Sequence, residues 1–380
     1  MFMSVPDGFK VSELGVIPED WDVQPVGEAF EICNNLRYPI SEEVRKKKVG
    51  DYPYYGPTKI QGYIDEYRIE GKYALIGEDG DHFLKWRDLP MTLLVSGKFN
   101  VNNHAHLVKG TKNLTEWFYY YFYRKEITRH LTRQGAGRYK LTKNTLVQIL
   151  CAIPPLPEQK AIAQSLSDFD TLITALDQVI TKKRNIKQST MQQILTGKKR
   201  LPGFSDEWDV KKLGDVLKVR HGKSQHHVVD QNGEFPILAT GGEIGRAKTY
   251  LYNKPSVLIG RKGTIDIPQY MDSPFWTIDT LFYTDILNNA FPKFIFYRFN
   301  LINWYSYNEA SGVPSLNAKT IENIEIKLSS VEEQKAIAQV LSDMDAEIEA
   351  LEKKRDKYKA IKQGMMQELL TGKTRLISSS

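Results

Sequence analysis

EQKAIAQSLSDFDTLITALDQVITKKRNIKQSTMQQILTGKKRL fills residues 158 to 201, and EQKAIAQVLSDMDAEIEALEKKRDKYKAIKQGMMQELLTGKTRL fills residues 333 to 376. At a constant offset of 175 and without a gap, 26 of the 44 paired positions are identical. A match of this length at one offset marks an internal duplication. Within each copy the apolar positions advance by three and four: Ile162, Leu166, Phe169, Ile173, Leu176 and Ile180, then Ile337, Leu341, Met344, Ile348 and Leu351. That spacing predicts two long amphipathic helices. The first opens after Pro154, Pro155 and Pro157, the second behind a capping box of Ser330 and Glu333, and each closes at a glycine, Gly197 or Gly372. A helix of about 38 residues at ~1.5 Å each is ~57 Å long. A seam of that length outruns a domain of about 150 residues, so packing each helix on its own domain alone does not cover it. The other copy is the natural partner. Only an antiparallel pair relates the copies by a two-fold axis perpendicular to the rod, which sets the blocks before each helix at opposite ends, like a ruler.

The rest of the chain repeats as well. GVIPEDWDVQPVG (15 to 27) returns as GFSDEWDVKKLG (203 to 214), YPYYGPTKIQG (52 to 62) as FPILATGGEIG (235 to 245), and LIGEDG (75 to 80) as LIGRKG (258 to 263). Each of the last two pairs reads as strand, glycine turn, strand. GAGRYKLTKNTL (135 to 146) faces ASGVPSLNAKTI (310 to 321) at the offset of the helices. Short β-rich segments at 73–76, 91–95, 257–259 and 280–283 alternate with turns, and helical segments are predicted at 116–131 and 292–304. The expected division is a first globular domain at 1–154, a helix at 155–200, a second globular domain at 201–329 and a second helix at 330–376. The fold class is α+β. The helices are nearly copied whereas residues 34–50 and 220–233 share little, so one scaffold holds two different surfaces.

Composition bounds what these units do. With 41% hydrophobic and 26% charged residues over 380 positions, the chain supports two cores plus the helices. The amino terminus has no basic segment leading into an apolar run, and no window approaches ~18 apolar residues, so the expectation is a cytoplasmic protein without a membrane span. Cys33 and Cys151 form no CxxC pair and are expected as buried thiols. The net charge of +6 is spread thinly: Lys+Arg against Asp+Glu is 21 to 19 over 1–150, 8 to 4 over 158–201, 14 to 14 over 202–330 and 9 to 9 over 331–380. Any phosphate-binding surface must therefore be a local patch.

PPLPEQKAIAQSLSDFD and SSVEEQKAIAQVLSDMD, each before a long helix closed by LTGK, together with the GAGRYKLTK lead into the first helix, resemble the specificity (S) subunit of type I restriction-modification enzymes. The resemblance spans the whole chain. It implies two tandem, pseudo-symmetric α/β target recognition domains, each followed by a long helix, with the helices forming an antiparallel coiled coil. It further implies that each domain reads one half of a bipartite site in double-stranded DNA, and that the helix pair fixes the spacing and docks two methyltransferase subunits. Restriction subunits would join through the complex, and S-adenosylmethionine, ATP and Mg would sit on those partners, with no cofactor or metal in this chain. The second copy departs from the pattern where Val313 to Ser315 replaces Arg138 to Lys140.

The candidate DNA contacts follow from side-chain chemistry. In the first domain Arg129, Arg133, Arg138, Tyr139, Lys140 and Lys143 flank a Gly-Ala-Gly turn that lets backbone approach phosphate, with Arg37 and Lys59 nearer the start. In the second, Arg220, His221, Lys223, Gln225, Arg246, Arg261, Lys262 and Ser315 are types that address phosphates or purine edges. Catalytic alternatives lack their motifs: there is no GxxxxGK[ST] loop, and Pro154–Pro155 sits between Ile153 and Leu156 rather than in an Asn/Asp-Pro-Pro-aromatic motif. Asp65, Glu70 and Lys72 are too common a grouping to mark a nuclease, and His104 with His106 lacks a third ligand and reads as strand. The expectation is a non-catalytic subunit. The alternative is a non-catalytic coiled-coil scaffold whose globular domains bind proteins.

Overall fold

Each duplicated stretch folds as one uninterrupted helix of 39 residues, Leu156–Ile194 and Val331–Leu369. The structure, a computed structural model, describes residues 5–133 and 138–377. The chain divides into two compact units, Met1–Ala175 with Arg355–Ser380, and Leu176–Lys354. Each long helix is therefore shared between the units.

In the first unit Lys362 Nζ donates to Asp170 Oδ1 at 2.5 Å, and the Phe169 ring meets Tyr358 edge-on at 6.1 Å. In the second, Lys187 pairs with Asp345, Arg184 with Glu352, and Lys183 with Glu347 at 2.7 Å. As the position rises along the first helix from 170 to 187, its partner on the second falls from 362 to 345, which only antiparallel helices allow. The helices form an antiparallel coiled coil. Leu176, Ile180 and Ile348 are buried in its middle and belong to neither globular core, while Phe169, Ile173, Met344 and Leu351 are half-buried. Nearer each helix start the seam merges with a core. Ile162 and Leu166 pack with Trp21, Trp117, Met366 and Leu369, and Ile337 and Leu341 pack with Phe294, Trp304, Ile194 and Leu195.

The start of each helix carries a buried acid. Glu158 is 2% exposed and its carboxylate accepts Arg375 Nε and Nη2 at 2.6 and 2.8 Å and the Trp21 indole N–H at 2.9 Å. Glu333, 1% exposed, accepts Arg200 Nε and Nη2 at 2.7 Å and the Trp208 indole at 2.9 Å. The predicted capping box is thereby only half made. Ser330 Oγ accepts the Glu333 N–H at 3.3 Å, but the Glu333 side chain turns away to a tertiary partner. The two arginines reach their acids because each helix ends in a glycine with φ +72°, Gly197 or Gly372, whose left-handed turn sends the chain back. At Gly372 a side chain would also lie 2.4 Å from Pro18.

The following glutamine ties the helix to its globular unit. Gln159 Oε1 accepts from Leu114 N at 2.9 Å, and its Nε2 donates to Asn113 Oδ1 and Pro154 O. Gln334 Oε1 accepts from Phe291 N at 2.8 Å, and its Nε2 donates to Ser329 O. Leu114 and Phe291 precede the short helices Thr115–Phe122 and Pro292–Phe299, so each glutamine receives an N–H that the helix start leaves unpaired.

These short helices end sooner than the sequence predicts, at 122 and 299 instead of 131 and 304. Other donors take carbonyls at their ends: the distant Met91 N–H donates to Tyr123 O, and the nearby Trp304 indole donates to Phe299 O at 2.9 Å. Single 3-10 turns, Thr128–His130 and Trp304–Tyr307, follow.

In the first unit a six-stranded sheet comprises β1 (Glu31–Ile32), β2 (Val49–Tyr55), β3 (Ile60–Ile64), β4 (Ile69–Gly77), β5 (Thr92–Val101) and β6 (Ala105–Lys109), in the order β1-β6-β4-β5-β2-β3. The second unit has β7 (Leu217–His221), β8 (Phe235–Ala239), β9 (Gly242–Ala247), β10 (Ser256–Gly260), β11 (Gln269–Met271), β12 (Trp276–Thr277) and β13 (Leu281–Ile286). They form a four-stranded sheet β7-β13-β10-β11 and a three-stranded sheet β9-β8-β12. The hairpins expected at 52–62 and 235–245 are β2–β3 and β8–β9. The turn after Gly77 leads not to a strand but to the 3-10 helix Asp81–Lys85, which buries Phe83. In each unit a two-stranded ladder, Asp22–Pro25 with Leu150–Ile153 or Asp209–Lys212 with Glu325–Leu328, brings the block's two ends together before its helix.

Removing one partner of a buried ion pair leaves an uncompensated charge and typically costs about 3–5 kcal/mol. Arg375→Ala is expected to lower stability by roughly that order, at its low end because the guanidinium is partly exposed, and Arg200→Ala is expected to lower stability as well. Denaturant unfolding checks this. In a double-mutant cycle, Glu158→Gln should cost much less in the Arg375→Ala background than alone, and additive losses would show that the pair is not coupled.

Candidate nucleic-acid interface

The motifs picked out at 75–80 and 135–146 meet in space. The turn after β4 docks on the segment Tyr139–Leu141: Gly80 N–H donates to Tyr139 O at 3.0 Å, Leu141 N–H to Glu78 O at 2.7 Å, and Asp79 bridges Lys140. The second unit repeats the geometry after β10. Gly263 N–H donates to Pro314 O and Leu316 N–H to Arg261 O, each at 2.9 Å, and Lys262 bridges Ser315. One backbone frame therefore carries two different surfaces. Where the first unit presents Glu78 and Asp79, the second presents Arg261 and Lys262.

The acidic turn changes what the first unit's cations can do. Arg37 Nη1 donates to Glu78 Oε2 at 2.6 Å and also to Asn103 O, and Lys140 Nζ lies 3.4 Å from Glu78 Oε1. The structure thus brings Arg37 and Lys140 together, but around a carboxylate of their own unit. Burial pushes the Glu78 carboxyl up, yet Arg37 and Lys140 outweigh it and hold it below the usual range. Beside it His106, fully buried on β6, donates from Nε2 to Leu141 O at 2.7 Å and accepts at Nδ1 from Asn34 Nδ2 at 2.8 Å. Burial lowers its pKa, against the pull of the Leu141 carbonyl and Glu78. His106 is a structural neutral imidazole that clamps the interface segment to the sheet. His104 stands at the surface with Nδ1 2.8 Å from Asp79 Oδ2.

The remaining candidates are scattered. Arg133 stacks over the Tyr139 ring at 5.2 Å, Arg129 Nε contacts His130, and Arg138 and Lys143 are exposed. The Gly-Ala-Gly turn of that patch lies outside the described residues. Lys59 is exposed at the β2–β3 turn. In the second unit Arg261 is steadied by Asp279, its Nε donating to Asp279 O at 2.7 Å. Arg220 lies 3.8 Å from Asp285, Arg246 Nε donates to Gly233 O, and His221 packs edge-on against Phe282. Lys223 is fixed through its backbone, which accepts the Trp276 indole at 3.0 Å, and the Gln225 carbonyl receives Val228 and Val229 N–H.

Among the described residues no group of three or more His, Cys, Asp or Glu could hold a metal ion. Cys33 and Cys151 are free and buried, and burial pushes their thiols up to about 11 and about 12. No helix among the described residues is long and apolar enough to cross a membrane.

A family model for the type I restriction modification DNA specificity domain matches the chain twice, over residues 18–188 and 205–360. The chain belongs to this specificity family. Among curated proteins it is 27% identical to a candidate MjaX specificity subunit of Methanocaldococcus jannaschii, covering 97% of each chain. It is 25% identical to the type I restriction enzyme MjaVIII specificity subunit of the same organism, covering 95% of this chain and 94% of that one. Among solved structures, the type I restriction-modification S subunit from M. genitalium superposes with a TM-score of 0.69 at 15% identity over 97% of this chain and 98% of that one, a likeness of fold. The two family matches each take in one repeated frame and most of one long helix.

The neutral state of His106 gives the specificity-family chain a pH dependence. An unfolded histidine titrates at about 6.5. Because the folded pKa lies lower, the unfolded chain takes up the proton first, so stability falls as pH drops below that value. The thermal midpoint should decline between about pH 7 and pH 5, and His106→Gln should flatten the decline. Equal slopes in the two proteins would assign it to other groups.

Proposed function

We propose that this chain is the sequence-reading component of a type I restriction-modification complex, with each unit reading one half of a bipartite site in double-stranded DNA. The observation that carries the reading is the repeated frame with unlike surfaces: the same bridge and paired backbone hydrogen bonds hold Glu78–Asp79 in one unit and Arg261–Lys262 in the other. Two copies of one reader with opposite local charge suit an asymmetric target. The family membership supplies the DNA context. The chain itself contributes recognition and assembly, not catalysis, and S-adenosylmethionine, ATP and Mg belong to the partner subunits.

The coiled coil then serves as spacer and as the seat of two methyltransferase subunits, with restriction subunits joining through them. In support, Leu172, Val179 and Ile186 recur every seven residues along the first long helix and remain 38%, 42% and 44% exposed. A heptad stripe left open after the intramolecular seam is filled suits a further helical partner.

Helix length tests the spacer directly. An insertion at Gly197 would displace Arg200 from Glu333, so both helices must be lengthened in their middles, between Asp177 and Gln178 and between Lys354 and Arg355. Seven residues in each keep the heptad register and add ~10 Å at ~1.5 Å per residue. At ~3.4 Å per base pair, the gap between half-sites should grow by about three pairs while both half-site sequences stay unchanged. Methylation mapping of DNA modified by the complex reads this out. Altered half-site bases with an unchanged gap would mean that the helices are not the spacer.

A further inference from the structure

Two candidate cations of the first unit, Arg37 and Lys140, are turned inward on Glu78, and a different part of that unit has the chemistry to hold DNA. Between Pro39–Arg45, the β2–β3 hairpin and the Asn102–His104 turn lies a cleft of about 420 Å³, lined by Ser41, Arg45, Gln61, Asn102, Asn103 and His104. None of these six is acidic.

The internal hydrogen bonds of the cleft consume acceptors and leave donors. Asn102, 5% exposed, donates from Nδ2 to Gln61 Oε1 at 3.1 Å and accepts the His104 N–H on Oδ1 at 2.9 Å. The amide group of Gln61 is thereby oriented with its N–H₂ left to give. Ser41 Oγ accepts from Val44 N at 3.3 Å, which leaves its O–H to donate. Arg45 uses one nitrogen on Ile40 O at 3.0 Å and rests its guanidinium 5.0 Å from the Tyr54 ring centre, with further N–H groups beyond those needs. His104 Nδ1 lies 2.8 Å from Asp79 Oδ2. Among the described residues the Asn103 side chain has no hydrogen-bond partner.

The walls are also held in place before any ligand arrives. Tyr54 is fully buried on β2, its O–H donates to Tyr38 O at 2.7 Å, and the same oxygen accepts from Ile40 N at 3.2 Å. Tyr38 is fixed in turn by Glu66 at 2.9 Å and by Arg68 stacked 3.4 Å from its ring centre. A rigid concavity that offers donors and one fixed cation matches a tetrahedral oxyanion that protrudes from its own surface. Flat base edges in a groove are instead met by protruding elements.

We propose that this cleft is a backbone-phosphate clamp: it seats one phosphodiester of the half-site duplex on Ser41, Arg45, Gln61, Asn103 and His104. The clamp rests on the reading of the chain as a DNA-recognition component and names the surface through which the first unit grips the strand. Its lining includes part of the segment 34–50, which shares little with residues 220–233 of the second unit, so each unit would hold the backbone in its own way.

The test uses the assembled complex with its methyltransferase subunits and measures duplex binding by fluorescence anisotropy over a salt series. Gln61→Glu keeps the acceptor for Asn102 and places a negative charge among the donors, and Arg45→Gln removes the fixed cation. Each variant should weaken binding of cognate and unrelated duplex by the same factor, on the order of tenfold, and Arg45→Gln should lower the salt slope by about 1. The methylated sequence should stay the same. Unfolding midpoints equal to wild type for Gln61→Glu guard against misfolding, and the exposed Ser41→Ala offers a milder third variant. A changed half-site sequence would make the cleft a base reader and overturn the clamp. Unchanged affinity and slope in Gln61→Glu would place the cleft away from DNA and overturn it equally, leaving the proposed function standing. Absence of salt-dependent duplex binding by the wild-type complex would instead overturn that function and the clamp together.

Discussion

A carboxylate sealed from water at the start of a helix is unfavourable unless its negative charge is met, and Glu158 and Glu333 are each met by an arginine and a tryptophan from elsewhere in the chain. The tryptophan comes from the entry of the globular unit. The arginine comes from just beyond the other long helix. For Arg375 to reach Glu158, 217 residues away, the second helix must end where the first begins. For Arg200 to reach Glu333, the first must end where the second begins. The antiparallel direction of the coiled coil is thus written into two ion pairs as well as into its apolar seam. Arginine suits the task better than lysine, because its planar fork satisfies both carboxylate oxygens at once.

The neighbouring glutamines extend that constraint into each globular unit. Gln159 and Gln334 receive the first free N–H of the short aromatic helices, and those helices carry Trp117 and Phe118, or Phe294 and Tyr297, into the cores. Helix start, domain entry, aromatic helix and returning tail are locked as one object in each unit. The buried acid, its arginine and tryptophan, and the glutamine contact recur in both units. The hairpins and turns outside it are free to diverge, and there the charge changes from Glu78–Asp79 to Arg261–Lys262 without disturbing the backbone bridge.

The lock explains which parts of the fold could be read in the sequence. The duplication, both helices, their glycine ends and the hairpins β2–β3 and β8–β9 are local patterns, and they stand where the periodicity places them. Local rules failed where a distant group competes. Glu333 sits at the capping-box position but gives its carboxylate to Arg200, 133 residues away. The helix after Thr115 stops at Phe122 because Met91 claims the Tyr123 carbonyl. Arg37 is a lone cation in the sequence, whereas in space Glu78, 41 residues on, holds it. No window of neighbouring residues contains that information.

The same reasoning governs how basic residues should be weighed in a protein of balanced charge. The first globular block has 21 cationic side chains against 19 acidic ones, so nearly every cation has an acid available, and only geometry decides which acids are close enough to claim one. Arg37 and Lys140 share Glu78, Lys72 reaches Glu116, and Lys48 reaches Glu66. These exposed and half-exposed pairs each contribute little to stability, but they do dilute the local field that a phosphate would feel. Arg45 is held differently, by a carbonyl and an aromatic face. Neither partner cancels its charge. The neutral groups around it, with the acceptor atoms of Ser41, Gln61 and Asn102 already engaged, then add donors without adding acids. A surface with few cations can therefore bind an anion better than one with many, provided most of its hydrogen-bond acceptors have been used up from within.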